Sequence, residues 1–365
     1  LPPVGVATLD VTPAAPVRLP GSASRKTESE GVLQRLWAKA LAIGPDDGDG
    51  PAVILTLDNC GVPEGVTEEV AARLKDKAGI ERERVVICSS HTHTAPWLEG
   101  FLPLHYVEPI PGDHQDRIRR YTREATDRLV RAALEAISSR TPARLAWAQG
   151  RLDFAMNRRV LVDGKCTRMA PNPDGPVDPS MPMLRVTDPG GKLLAVMVNY
   201  ACHCTTMSGN SIHGDWAGCA QEYIEKNHPG MTALISVGCG ADTNPEPRSS
   251  LEATEAHGRA VAEEVERLLA GPFVPLEQAP TAHIGRVELP FDTPPTREEF
   301  SARLAAAKLP KAGSFAKRQG FHAERMLEYI RRDGRVPDSL DYHVTAWAFG
   351  DELAMVFLPG EVVID

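Results

Sequence analysis

No stretch of this chain approaches the roughly 18 consecutive apolar residues that a membrane-spanning helix needs, so no helical span is expected. There is no long basic run either. With a formal net charge of −9, neither nucleic acid nor an anionic lipid surface is expected as the main partner, although a local patch stays open. None of the seven cysteines (Cys60, Cys88, Cys166, Cys202, Cys204, Cys219 and Cys239) forms a C-x-x-C pair, which leaves out a zinc ribbon and a thioredoxin-type motif. Their odd number, their scatter and the size of the chain also speak against a disulfide framework. Cys60, Cys88, Cys202 and Cys239 lie in or beside apolar runs, where a reduced thiol behaves as a small hydrophobe. No internal repeat is visible. The first residue is Leu rather than Met, and an exported protein, periplasmic or secreted, is the expectation.

What is present reads as a globular α/β protein. The 365 residues, 42% hydrophobic and 24% charged, are enough to bury a large core. Ala52–Leu57 and the run 84–88 read as buried strands, with a helix capped by Thr67 between them. Residues 113–139 repeat Ile118, Tyr121, Ala125, Leu129, Ala132 and Ala136 at helical spacing. Strands are expected at 143–149, 183–187, 193–200 and 231–237, with helices starting at an Asp215 N-cap and covering 254–269. Residues 163–182, dense in Pro, Gly and Asp, read as a long loop. Residues 293–332 read as a helical insertion whose Lys and Arg form a solvated face. Tyr342–Phe349 and Leu353–Leu358 read as a hairpin turning at Gly350-Asp351. The expected fold is α/β, with mixed β-sheets flanked by helices in a single large domain spanning 1–365.

The chemistry concentrates where apolar strands run out. Val85-Val86-Ile87-Cys88 leads into His91-Thr92-His93-Thr94-Ala95-Pro96, and extended backbone would turn both imidazoles to one side. On its own, H-x-H serves a metal, serves proton transfer, or is an ordinary pair of loop histidines. The same pattern recurs at 193–200 running into Ala201-Cys202-His203-Cys204-Thr205-Thr206, and again at His213-Gly214-Asp215. It is seen once more at 235–245 and at Phe357-Leu358-Pro359-Gly360-Glu361. Ligand sites in α/β sheets gather outside strand ends, and two histidines with a carboxylate are the ligand set of a catalytic zinc site. Cys202 or Cys204 could ligate in place of His203, but alternation places both on the opposite side if the strand continues that far. Asp215 reads as a helix cap that also orients a ligand histidine.

Taken together the motifs resemble a known family. Cys88-Ser-Ser-His91-Thr-His93-Thr-Ala-Pro96 is similar to the T-H-T-H-S-G-P signature of neutral, non-lysosomal ceramidases. Met156-Asn157-Arg158-Arg159 resembles that family's N-R-S segment, and Asn199-Tyr-Ala-Cys-His203-Cys-Thr205 its N-W-x-x-V-H-x-T. His213-Gly-Asp215 resembles S-G-D, and Phe357-Leu-Pro359-Gly-Glu361 resembles V-P-G-E-F, all in the family's order.

The resemblance implies a zinc amidohydrolase related to the family's N-terminal catalytic domain and standing alone. Its metal ligands would be His91, His203 and Glu361; either the tyrosine the family adds lies beyond Asp365, or the site is three-coordinate with water. His93, Arg158 and Asp242 are the expected catalytic residues, and Asn157, Asn244 and Asp215 the expected substrate contacts. His93 would move a proton and Arg158 hold developing negative charge, with His93 as a ligand the other possibility. Gly240-Ala241-Asp242-Thr243-Asn244-Pro245 matches the family's G-D-V-S-P-N without its serine, so the expected substrate is a small N-acyl compound, lipid-like or not, other than ceramide. A metal-independent hydrolase using Thr243, and a binding protein that keeps the fold without catalysis, are the alternatives.

Overall fold

A computed structural model describes residues 1–22, 24–102 and 109–364. In chain order, β1 (Pro3–Asp10), β2 (Trp37–Ile43) and β3 (Ala52–Leu57) lead to α1 (Glu64–Ala78), β4 (Val85–Ser89) and the long α2 (Gly112–Ser138). The next stretch comprises β5 (Thr141–Pro142), β6 (Arg144–Arg151), β7 (Ala155–Asn157), β8 (Arg159–Val162), β9 (Lys165–Met169), β10 (Ser180–Thr187) and β11 (Leu193–Tyr200). Then come α3 (Asp215–Asn227), β12 (Thr232–Val237), β13 (Thr243–Pro245), α4 (Leu251–Leu269) and β14 (Val274–Leu276). The last part is β15 (Thr281–Pro290), α5 (Arg297–Ala307), α6 (Ser314–Asp333), β16 (Ser339–Phe349) and β17 (Leu353–Phe357).

Two five-stranded sheets carry the fold, in the orders β4-β3-β2-β1-β5 and β12-β11-β10-β6-β14. In each, the outer pair at one end (β3 with β4, β11 with β12) is parallel, and the other pairs are antiparallel. A single helix, α1 or α3, makes each parallel crossover, and a longer helix follows, α2 or α4. The second half therefore repeats the topology of the first, although no repeat shows in the amino acids.

The sheets lie face to face. Leu41, Ile43, Ile54 and Val86 of one pack with Leu184, Val186, Met197 and Leu234 of the other. On the outer faces, α1 and α2 cover Ala40, Val53, Leu55 and Leu57, while α3 and α4 cover Met183, Val196, Val198 and Ile235. A strand buried on both faces needs no polar alternation, which is why Ala52–Leu57 is apolar throughout except for Thr56. The α/β class with mixed sheets flanked by helices is thus the observed one, as four layers.

Local boundaries differ where caps were misread. α1 starts at Glu64 behind Pro63, so Thr67 lies inside the helix instead of capping it. α3 starts at Asp215 itself, with Gly214 at the cap. Ser250, whose hydroxyl accepts the Ala253 N–H, starts α4 at Leu251. The loop expected at 163–182 contains strand β9, which pairs with β8 as a small hairpin turning at Asp163-Gly164. The helical insertion is present as α5 and α6, between β15 and β16. Trp347 and Phe349 of β16 enter the layer between the large sheets, and Trp347 Nε1 donates to Glu83 O at 2.8 Å. This docking carries the end of β17, and with it Glu361, toward the strand ends of both halves.

Candidate metal centre

Three imidazoles meet above the ends of β4 and β11. His91 and His93 follow β4 and His203 follows β11, and an isolated parallel bridge between Thr92 and Cys204 ties the two segments together. His91 is not extended: at φ 61° it occupies the left-handed region. The two histidines converge because of that turn and not through the side-chain alternation of an extended strand.

Each ring has one nitrogen occupied. His91 Nδ1–H donates to Cys60 O at 2.5 Å, His203 Nδ1–H to Gly240 O at 2.7 Å and His93 Nδ1–H to Gly21 O at 3.2 Å. A carbonyl only accepts, so all three neutral rings carry their proton on Nδ1 and present a lone pair at Nε2. Those lone pairs face one another: His91 Nε2 and His93 Nε2 are 3.2 Å apart. Glu361 adds its carboxylate, with Oε1 3.7 Å from His91 Nε2 and Oε2 3.4 Å from His203 Nε2. The ligand atoms of His91, His203 and Glu361 all lie within 4.8 Å of one another. His91, His203 and Glu361 thus converge, with His93 against His91 and no donor among them, which is the chemistry of a cation site, and the carbonyl-bound Nδ1 atoms are the outer support of histidine ligands.

Protonation agrees. Burial, then the neighbouring His203, lowers the His91 pKa to about 4, and burial with the two adjacent rings pushes His93 well below the usual histidine value. The His203 imidazole beside it, then the His91 and His93 rings, hold the Glu361 carboxyl down to about 2. Neutral rings and an ionised carboxylate are the forms that bind a metal.

The segment bearing Glu361 is tied down at three points. Tyr342 Oη donates to Pro359 O at 2.6 Å, Ala241 N–H to Val362 O at 3.0 Å, and Ile364 N–H to Asp242 Oδ1 at 3.2 Å. Gly360, at φ 82°, supplies the backbone turn that presents the carboxylate.

The other expected residues fall into two groups. Arg158 and Asn244 lie together beside the centre. Arg158 Nη2 donates to Ala241 O at 2.6 Å and Nη1 to Asn244 Oδ1 at 3.2 Å, while Thr205 Oγ1 donates to the same Oδ1 at 3.3 Å. They line a cleft of about 190 Å³ with Met156, Met169, Glu246 and Arg248. Asp242, Asn157 and Asp215 are buried and engaged internally, although Asn157 also borders this cleft. Asp242 holds Ile364 N–H and Asn157 Nδ2, and Asn157 also bonds Pro176 O and Arg159 N–H. Asp215 accepts N–H groups from Thr206, Met207 and Trp216. Asp242 and Asp215 are thus held by internal hydrogen bonds that tie the loops around the centre together, while Asn157 makes such bonds and also borders the cleft.

Thr243 is also buried. Its hydroxyl donates to Ala201 O at 2.8 Å, which removes the geometric basis for a nucleophile there. Cys202 and Cys204 lie in the core that α3 covers, although β11 ends at Tyr200 and strand alternation does not extend to them.

Other contributors carried no motif. Cys60 provides the carbonyl under His91, and its thiol groups with His91 and His93 within 4.8 Å. Gly21, at φ 83°, lies so close that a Cβ there would sit 2.4 Å from His93 Nδ1. Arg25 Nη1 donates to His93 O. The one local signal for these was a glycine or a small residue at a turn, which is common everywhere.

Comparison with known proteins gives a consistent picture. A family model described as neutral/alkaline non-lysosomal ceramidase, N-terminal, matches residues 3–257. The chain is 28% identical over 211 residues to the neutral ceramidase of Pseudomonas aeruginosa, covering 56% of this chain and 30% of that protein. It is 27% identical over 237 residues to neutral ceramidase B of Dictyostelium discoideum, covering 62% of this chain and 32% of that protein. For the neutral ceramidase of Mycobacterium tuberculosis the figures are 26% over 266 residues, 66% and 39%. The chain thus spans about a third of the length of these curated relatives.

Among solved structures, the crystal structure of the Pseudomonas aeruginosa neutral ceramidase superposes with a TM-score of 0.69 at 19% identity, covering 97% of this chain and 61% of that one. A ceramidase complexed with C2 superposes with a TM-score of 0.64 at 21% identity, covering 78% and 46%. At these identities the likeness establishes the fold. With the match over residues 3–257, the chain belongs to the neutral/alkaline non-lysosomal ceramidase family, in the region of its N-terminal domain.

Proposed function

We propose that this protein is a zinc-dependent hydrolase of an amide (N-acyl) bond in a small molecule other than ceramide itself. The observation that carries the reading is the convergence of the Nδ1-anchored imidazoles of His91 and His203 with the Glu361 carboxylate, with no donor between them and the His93 ring against His91. His91, His203 and Glu361 would hold the ion. Zinc bound there supplies Lewis acidity, polarising a carbonyl and lowering the pKa of water.

The chain's own groups supply the rest. His93 Nε2, free of any carbonyl, is placed to take a proton from attacking water and return it to the leaving amine. Arg158, fixed through Ala241 O and Asn244, presents its guanidinium beside the centre to the developing oxyanion. Cys60 O, Gly21 O and Gly240 O keep the three rings oriented. The cleft beside Arg158 is small, about 190 Å³, with Met156, Met169, Ala170 and Pro171 beside its two arginines, Asn157, Asn244 and Glu246, which suits a short acyl compound better than two long hydrocarbon chains.

Export from the cytoplasm is part of the same proposal, checked by cell fractionation; no helix among the described residues is long and apolar enough to cross a membrane.

The test is elemental analysis of protein purified without added metal, with turnover measured on a panel of N-acyl compounds that includes ceramide. The expected result is about one zinc per chain, lost when His91 and His203 are both replaced by Ala, and hydrolysis of short N-acyl substrates that stops on chelation. Unchanged metal content in the double variant, or activity surviving exhaustive chelation, would refute it.

A further inference from the structure

The net negative charge of the chain conceals one strongly cationic projection. Helices α5 and α6 pack on each other: the Phe300 ring meets His322 at 5.9 Å, and a Cβ on Gly320 would lie 2.2 Å from Ala307 Cβ. Within the pair only Phe300, Gly320 and Ala323 are buried. The pair extends from β15 and β16, whose outer ends expose Val287, Leu289, Phe291 and Leu340.

At its tip two large apolar side chains face solvent, Leu309 at 62% and Phe315 at 70% exposure. From Phe300 to Ala323 there is no Asp or Glu, while Arg303, Lys308, Lys311, Lys317 and Arg318 all fall in that stretch. This is anomalous in a protein with 49 acidic against 40 basic residues. The cations are also unengaged: no ion pair or hydrogen bond joins Lys308, Lys311, Lys317 or Arg318 to a carboxylate among the described residues, whereas the helices of the main body are laced with such pairs.

We propose that the α5–α6 hairpin is an arm that docks this protein on an anionic lipid surface through its tip, Leu309 and Phe315 entering the interface and the four cations meeting the headgroups. Cations beside exposed Leu and Phe are the composition of an interfacial element, since the apolar side chains gain by leaving water only where the neighbouring charges stay in it. Duplex nucleic acid would use the cations and leave the two apolar side chains without a role. A second copy of the chain tip to tip would oppose like charges.

The experiment is flotation of the full chain with vesicles of phosphatidylcholine alone and of phosphatidylcholine with about 30% phosphatidylglycerol, with a short DNA duplex as competitor. Wild type is expected to bind the anionic vesicles at least about tenfold more tightly than the neutral ones, given roughly 1 kcal/mol per basic residue at such a surface. Replacing Lys308, Lys311 and Lys317 by Gln and Arg318 by Gln should abolish that preference. Leu309→Ser with Phe315→Ser should weaken binding to the anionic vesicles by about tenfold or more while leaving the thermal midpoint unchanged. The proposal is overturned if wild type stays off the anionic vesicles, if both variants bind as wild type does, or if the duplex displaces the vesicles and the Leu309/Phe315 variant binds that duplex unchanged.

Discussion

His93 shows how much one backbone position decides. Its Nδ1–H reaches Gly21 O, and the approach is possible because Gly21 has no side chain and adopts φ 83°. Gly21→Ala should therefore displace the His93 ring while leaving His91, His203 and Glu361 in place. Turnover is expected to fall by about 10²-fold or more with zinc content intact; loss of zinc in step with activity would instead make His93 a ligand. Asp242 acts one contact further out, through Ile364 N–H and the strap that carries Glu361. Asp242→Ala should weaken zinc affinity by roughly 10–100-fold in a chelator competition, the usual cost of removing an outer support. An unchanged affinity would show that Tyr342 and Ala241 hold the strap alone.

At the scale of elements, the start of α3 stands out. Asp215 has φ 57° and is fully buried, and its carboxylate gathers the N–H groups of Thr206, Met207 and Trp216. It thereby locks the loop after His203 to the helix, and Trp216 Nε1 adds a bond to His203 O at 2.9 Å. Asp215→Ala would leave three buried donors unsatisfied, so a loss of about 3 kcal/mol or more is expected in denaturant unfolding. A loss below about 1 kcal/mol would mean that water or a neighbour replaces the carboxylate.

Much of this level was legible in the chain. The runs at 52–57 and 193–200, and the 3.6-residue spacing of Ile118, Tyr121, Ala125 and Leu129, follow from which faces are covered. The caps were less so, because Thr67 and Asp215 have the chemistry of a cap but not the backbone of one here. The β8–β9 hairpin was hidden because both strands are largely exposed and so carry no apolar alternation.

For the whole molecule, the two topologically equivalent halves must be held in register, and buried polar groups do part of this. Lys39 of β2, 1% exposed, donates to Ala233 O of β12 at 2.8 Å and to Glu225 of α3 at 2.6 Å. Removing a buried charge's partner costs more than replacing the charge by an apolar chain of similar length. Glu225→Ala, which strands the buried Lys39 charge, should therefore destabilise more than Lys39→Met in denaturant titration; equal losses would argue that the pair is not what joins the halves.

Two further buried rings set an acid limit. Burial lowers the pKa of His213, whose Nδ1 accepts Asp215 N–H, and of His257, which stacks on Phe154. A histidine whose folded pKa lies below its unfolded value of about 6.5 favours the folded state while neutral. That contribution is complete above about pH 6.5 and declines as pH falls toward the folded values. Unfolding free energy should accordingly fall below about pH 6.5, and the slope should shrink in a His257→Phe variant; a slope that does not change would remove His257 from the account.

The sequence by itself determined the α/β class, the strands and helices that make its layers, and the residue types of the centre, because each depends on groups within a few positions of one another. Apolar period, strand-end histidines and the Pro-Gly turn before Glu361 are local signals. Tertiary structure alone decided which nitrogen of each ring is free, that Asp242, Asn157 and Asp215 are buried in hydrogen bonds to distant loops, and that the chain folds as two halves of like topology. These depend on hydrogen bonds and packing between segments far apart in the chain, such as His203 with Gly240, Asp242 with Ile364 and one sheet face with the other. No local pattern records them, because their partners are brought together only when the two sheets close on a common core.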